Sequence, residues 1–236
     1  RQVRRHPNIL IWTVGCELSG STTPEYRKRL VALVKQLTGS PLVKDNSGGA
    51  EMYGGDPREF GDFYDYHPYC DTPFYAPVLD SLMPGPRTRQ PILLGEFNDF
   101  DVHRDVSRVA AEQPYWASAD PNLNAQGVRW QFDLPKILAE SPFVQPGERH
   151  NELSRRSLSQ AVFVRKYVQE QVRARDPIQG YAVTGLRDTP ISTAGIMDIW
   201  GDLRFAPEDM TWNQDDVLFP IPLRRPPWTH CGNRPG

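Results

Sequence analysis

The chain has 236 residues, 39% of them hydrophobic and 24% charged, with 27 basic side chains against 29 acidic ones. A formal charge of −2 draws the protein toward neither nucleic acid nor an anionic membrane surface. No stretch approaches the ~18 consecutive apolar residues of a membrane span, so neither partner is expected.

Three cysteines, Cys16, Cys70 and Cys231, cannot build a disulfide framework. Proline is frequent, 23 residues in all, which implies many fixed turns. Arg1 opens the chain without an initiator Met or a leader-like segment, and residues 223–236 are Pro-rich without periodicity. A piece of a longer protein and a chain with trimmed ends are equally compatible with this.

Residues 8–14, Asn-Ile-Leu-Ile-Trp-Thr-Val, form a continuous apolar and β-branched run ending at Gly15. Such a run predicts a strand buried on both faces, with Trp12 in the core. Thr23 as N-cap and Pro24 at the first position open a helix whose apolar face is Tyr26, Leu30, Leu33, Val34 and Leu37, closed by Gly39. Residues 40–44 read as a short strand ending in the polar turn Asp45-Asn-Ser-Gly-Gly49. Residues 62–66 read as the next strand, with His67-Pro-Tyr-Cys-Asp71 as its exit and a short helix over 75–82. Residues 91–95 form a strand that delivers Glu96 at its carboxyl end.

Residues 98–153 show no periodicity and are too long for an ordinary connection, so they are expected to be a functional loop region. Residues 157–175 are the longest helical segment, stopped by Asp176-Pro177. Residues 178–184 are the last strand. Strands alternating with helices predict α/β architecture with a parallel sheet, and an open sheet and a closed barrel both fit. No glycine-rich nucleotide loop, Gly-x-Ser-x-Gly elbow, His-Glu-x-x-His or Cys-x-x-Cys occurs. The polar residues instead gather at strand ends, where a βα barrel keeps its active site.

Glu17 and Glu96 each stand just beyond an apolar strand, 79 residues apart, close to three βα units of ~31 residues. A solvated loop residue or half of an ion pair is the competing reading of each. Two carboxylates facing one cleft can cleave a glycosidic bond, because that chemistry needs one protonated acid and one ionised base or nucleophile. His67 and Tyr69 lie at the strand end between them.

The segment Arg5-His-Pro-Asn-Ile-Leu-Ile-Trp-Thr-Val-Gly-Cys-Glu17 resembles the strand-four signature of glycoside hydrolase family 2, the β-galactosidase, β-glucuronidase and β-mannosidase family. That signature runs approximately Asn-His-Pro-Ser-Ile-x-x-Trp-Ser-x-Gly-Asn-Glu. Pro91-Ile-Leu-Leu-Gly-Glu-Phe97 is similar to the strand-seven segment, and His67-Pro-Tyr69 fits strand six. Gln179 to Asp188, with Gly195-Ile-Met-Asp198, fits strand eight and its exit.

The resemblance implies a retaining β-glycosidase acting on a β-linked carbohydrate. Its fold would be a partial (β/α)8 TIM barrel, strands four to eight, over residues 1–206, followed by an irregular tail over 207–236. The N-terminal half-barrel and accessory domains would then precede this chain in a longer protein. Glu17 would be the acid/base and Glu96 the nucleophile, with Tyr69 bonded to Glu96 and His67 beside it. Glu17 must hold a proton at the start and surrender it later.

Cys16 stands where the family places an Asn that contacts the sugar 2-hydroxyl, and a thiol is a poor substitute donor. Leu186 and Arg187 stand where many relatives place a sugar-stacking Trp. These departures motivate the alternative of a catalytically inactive fragment or a glycan-binding relative.

Trp116 could stack on a sugar or anchor its loop, and Trp130 is expected to pack. Asp45 and Asn46 could bind substrate hydroxyls, although an Asx turn is favoured. Arg187 and Asp188 could pair with each other or reach an acidic sugar, and the salt bridge is favoured. No pair among Cys16, His67, Cys70 and Asp71 has zinc-ligand spacing, so neither a metal nor any other cofactor is expected.

Overall fold

A computed structural model describes residues 8–18, 22–39, 42–48, 61–82, 90–117 and 148–210. Trp130 and the tail beyond 210 lie outside the described residues. Five strands are β1 (Ile11–Thr13), β2 (Leu42–Lys44), β3 (Tyr64–Tyr66), β4 (Ile92–Phe97) and β5 (Ile178–Val183). Four helices are α1 (Pro24–Thr38), α2 (Thr72–Leu82), α3 (Val106–Glu112) and α4 (Glu148–Arg173). Every strand pairing is parallel, β1 with β2 and then β3–β4–β5 in chain order. The fold is therefore mixed α/β with parallel sheets. Among the described residues no helix is long and apolar enough to cross a membrane.

The core lies between β3–β4 and the helices α2 and α4. Tyr64, Tyr66, Ile92, Leu94 and Phe97 from the strands meet Tyr75 and Leu79 of α2 and Val164, Val168 and Val172 of α4. Burial of apolar surface at ~25 cal/mol per Å² makes this the main source of stability.

Helix α1 starts and stops where its punctuation predicts. Thr23 Oγ1 accepts from Tyr26 N–H at 3.3 Å, and Gly39, at φ 66°, donates its N–H to Lys35 O. Its inward face differs from the predicted one. Val31 is buried while Tyr26, Leu33 and Leu37 are exposed. Two ion pairs set this rotation: Arg27 meets Asp45 and Lys35 meets Asp62, each at 2.7 Å.

Strand β1 also departs from expectation. Ile11 is 43% exposed and Trp12 only half-buried, so this run is not enclosed on both faces. Its one neighbour among the described residues is β2.

The region 98–153 is not wholly irregular. Asp105 Oδ1 accepts from Arg108 N–H and caps α3, which buries Val106 and Val109. Helix α4 begins at Glu148, well before residue 157. Ion pairs from Glu152 to Arg155 and Arg156 knit its early turns, and charge pairing leaves no apolar periodicity to read.

Candidate active site

Four strand ends build one polar cluster. After β1, Cys16 pairs across to Ser47 as an isolated parallel bridge, and Glu17 N–H donates to Ser47 O at 2.8 Å. Glu17 sits at φ 49°, a left-handed conformation. Asn46 holds the chain just beyond it, accepting from Leu18 N–H at 2.8 Å and donating to Leu18 O at 3.1 Å. The Asn46 amide is thus spent on positioning Glu17. Asp45 is likewise engaged, by Arg27 and Lys44, so neither residue presents itself to substrate.

Glu96 is the penultimate residue of β4, not the residue beyond the strand. The register against β5 shifts between Leu94 and Phe97, an irregularity of the kind that re-aims a side chain at a strand end. Below it, Gly95 N–H donates to Asp65 Oδ1 at 2.9 Å. A Cβ on Gly95 would lie 2.4 Å from that oxygen, so only glycine lets strand and carboxylate approach this closely. Burial raises the Asp65 carboxyl above the ordinary range, opposed by Ser47, His67, Gly95 and Lys44.

His67, whose side chain is fully enclosed, links the two glutamates. Its Nδ1 lies 2.9 Å from Glu17 Oε1 and 3.6 Å from Glu96 Oε2. Two distances measured from one nitrogen bring those oxygens within about 6.5 Å of each other. Nε2 of His67 meets Ser47 Oγ at 2.8 Å. Gly48, at φ 61°, passes directly under the imidazole ring.

The Tyr69 hydroxyl donates to Glu96 Oε2 and approaches Thr184 Oγ1 at 3.4 Å. Burial and then the Glu96 bond raise its phenol above the ordinary value. Cys16 Sγ donates to Glu96 Oε1 at 3.4 Å. Burial first, then that bond and the charge of Glu96, push the thiol up to about 11. Cys16, His67 and Glu96 each bring one ligand-type atom within 4.8 Å of the others.

The structure thus brings together Cys16, Glu17, His67, Tyr69 and Glu96. Trp116 takes the anchoring alternative. It is buried in the 3-10 turn Tyr115–Ala117, with the Arg104 guanidinium 5.2 Å from its ring centroid. Arg187 and Asp188 do not pair with each other. Arg187 donates to Ile199 O, and Asp188 binds Arg204 and Gly195 N–H. Leu186 is 70% exposed.

Sequence reasoning missed Ser47, Asp65 and Thr184. The first two stand at ordinary turn and strand positions, and only the chain crossing brings them beneath the glutamates.

Parallel βα architecture with a cluster of carboxylates at its strand ends defines an α/β protein. No protein-family profile and no curated protein matches the chain. Among solved structures, a β-D-mannosidase from Dictyoglomus thermophilum shares the fold, with a TM-score of 0.51 at 16% sequence identity. The match covers 86% of this chain and 26% of that one, so the chain spans about a quarter of that protein's length. At this identity the likeness concerns the fold.

Proposed function

We propose that this chain carries the catalytic carboxylates of a retaining β-glycosidase of the family 2 kind, its five strands being strands four to eight of a (β/α)8 barrel. The observation that carries the reading is the upper bound of about 6.5 Å between Glu17 and Glu96 oxygens. Double displacement requires carboxyl groups ~5–5.5 Å apart, whereas inversion leaves ~6.5–9.5 Å for an intervening water. The fold likeness to a β-D-mannosidase supports the same reading, since that activity belongs to the family the sequence resembles.

Each residue has a role in two steps. Glu96 attacks the anomeric carbon, and Glu17 gives its proton to the departing glycosidic oxygen. Glu17 then takes a proton from water, which displaces Glu96 from the sugar. Tyr69 holds Oε2 of Glu96 and Cys16 holds Oε1, so the nucleophile is oriented from both sides.

Asp65, Ser47 and His67 bear on the acid. A Ser47 hydroxyl given to Asp65 leaves its oxygen to accept Nε2–H of His67. Nδ1 then faces Glu17 Oε1 as an acceptor at 2.9 Å, matching a protonated Glu17. Beside Tyr69 a pocket lined by Asp71, Tyr75, Asn98, Asp99 and Asp101 offers hydroxyl partners for the glycan. The Tyr75 hydroxyl and Asn98 Oδ1 there are buried without a hydrogen-bond partner among the described residues.

The second reading, a non-catalytic glycan binder, is favoured by Cys16 and by the exposed Leu186. Aryl β-glycosides presented to the full-length protein separate the two. Glu96→Ala should cut turnover by ~10³-fold or more and the product should keep its anomeric configuration. Glycan binding without turnover in the unaltered protein selects the second reading.

A further inference from the structure

We propose that Cys16, His67 and Glu96 form a three-donor site for a thiophilic divalent cation of the zinc type, with the fourth position open to water. The site rests on donor geometry and stands independently of the glycosidase reading. In tetrahedral zinc, bonds of ~2.0–2.1 Å to nitrogen and oxygen and ~2.3 Å to sulfur place ligand atoms roughly 3.3–3.6 Å apart. Each of the other two donors already stands at edge distance from one oxygen of Glu96, Cys16 from Oε1 and His67 from Oε2. Cys16 Sγ to Glu96 Oε1 is 3.4 Å, and His67 Nδ1 to Glu96 Oε2 is 3.6 Å. The three donors lie within 4.8 Å of one another, so the longest edge closes by a shift of about 1 Å, within reach of the exposed Cys16 side chain. Glu17 Oε1, 2.9 Å from the same imidazole nitrogen, lies beside that open position.

The surroundings match what a metal-binding histidine needs. Its other nitrogen, Nε2, is held by Ser47 Oγ at 2.8 Å, which turns the Nδ1 lone pair toward the cluster. Gly48 beneath the ring leaves the imidazole little room to swing away. The donor set of thiolate, imidazole and carboxylate favours zinc over magnesium or calcium, which take oxygen ligands. Binding exchanges the thiol proton for the metal: the S–H bond breaks, Sγ–Zn forms, and the proton leaves to solvent. A cation held there occupies Glu96, so it excludes a sugar from that carboxylate.

The test uses the full chain freed of metal with a chelator, then titrated with Zn2+ alone and, separately, Co2+ alone. We expect one Zn2+ per chain, at least tenfold weaker in Cys16→Ser, and a sulfur-to-cobalt charge-transfer band in the unaltered protein. No stoichiometric zinc, equal affinity in Cys16→Ser, or cobalt bound without that band overturns the site. The cobalt band needs no variant, so a misfolded substitution leaves the question decidable. Zinc uptake with the thiolate band, in a protein that turns over no glycoside even when freed of metal, would uphold the metal site and remove the glycosidase reading. Glycoside turnover without zinc uptake would do the reverse.

Discussion

Cys16, just beyond β1, and Glu96, in β4, meet at 3.4 Å with the thiol hydrogen directed at the carboxylate. The sulfur therefore serves the glutamate and has little thiolate character, its titration lying near 11. At pH 8 roughly one Cys16 in a thousand is ionised, because each unit below the midpoint costs a factor of ten. Iodoacetamide labelling of Cys16 in chelator-treated protein should be slow at pH 8 and rise about tenfold per pH unit up to that midpoint. Glu96→Gln removes a negative charge that raises the thiol, so labelling at pH 8 should accelerate. The acceleration is partial, since burial, the largest cause, stays in the variant. Peptide mass spectrometry reads both rates, and equal rates in the two proteins would show that Glu96 does not govern the thiol.

Glu17 and Glu96 differ in what each step asks of them. On the proposed reading, replacing Glu17 with Gln removes the proton given to the leaving group. Substrates with poor leaving groups should lose ~10²–10⁴-fold in kcat/KM, while those with activated aryl leaving groups lose far less in the first step. A uniform loss across a leaving-group series would show that Glu17 has no role in protonation. Added azide, which needs no deprotonation, should restore turnover of activated substrates.

Much of the site was legible because its chemistry sits where apolar runs stop. Glu17, His67 and Tyr69 follow strands and Glu96 is the penultimate residue of one, and parallel strands bring such ends to one side. What stayed hidden depends on proximity rather than spacing. Ser47 and Asp65 are separated from the glutamates in sequence and contribute through one hydroxyl and one buried carboxylate. The metal-type cluster was invisible for the same reason: its donors come from three strand ends, with no short ligand spacing. The α1 face was misread because periodicity counted Leu33 and Leu37 but not the attraction of Asp45 and Asp62 for Arg27 and Lys35. Trp116 could not be decided from sequence, since anchoring and stacking both demand the same indole.

Gly39 and Gly48 share a left-handed backbone but not a neighbourhood. At Gly39, φ 66°, a Cβ would meet nothing within 4 Å. Gly39→Ala should therefore cost only the backbone term, about 1–2 kcal/mol. At Gly48, φ 61°, a Cβ would lie 2.3 Å from His67 Nδ1. Gly48→Ala adds overpacking of roughly 1–3 kcal/mol and pushes the imidazole off both glutamates. Denaturant unfolding should rank Gly48→Ala as the less stable, and only that variant should lose glycoside turnover when both are assayed folded. Equal activity in the two would show that the position of His67 is unimportant.

Arg165 of α4 is fully buried and ties two loops to the helix. Its guanidinium donates to Asn98 O at 2.7 Å, immediately after the Glu96–Phe97 strand end, and to Ala194 O. Burial lowers its titration to about 10, so keeping it ionised inside the fold itself costs stability. Buried charges can be exchanged for apolar groups of similar volume at no net loss when their partners are exchanged too. Here the partners are backbone carbonyls, which stay. Arg165→Met should strand them and lower stability by about 2–4 kcal/mol, with Arg165→Lys recovering only part because one ammonium cannot span both carbonyls. Because Asn98 follows the strand that carries Glu96, the proposed nucleophile, turnover should fall in Arg165→Met even at temperatures where the variant is folded. Guanidinium unfolding paired with the glycoside assay checks both arms. A Met variant as stable as the original would mean that water or local relaxation satisfies the carbonyls, and that the Arg165 bridge is not what holds the strand end beside Glu96.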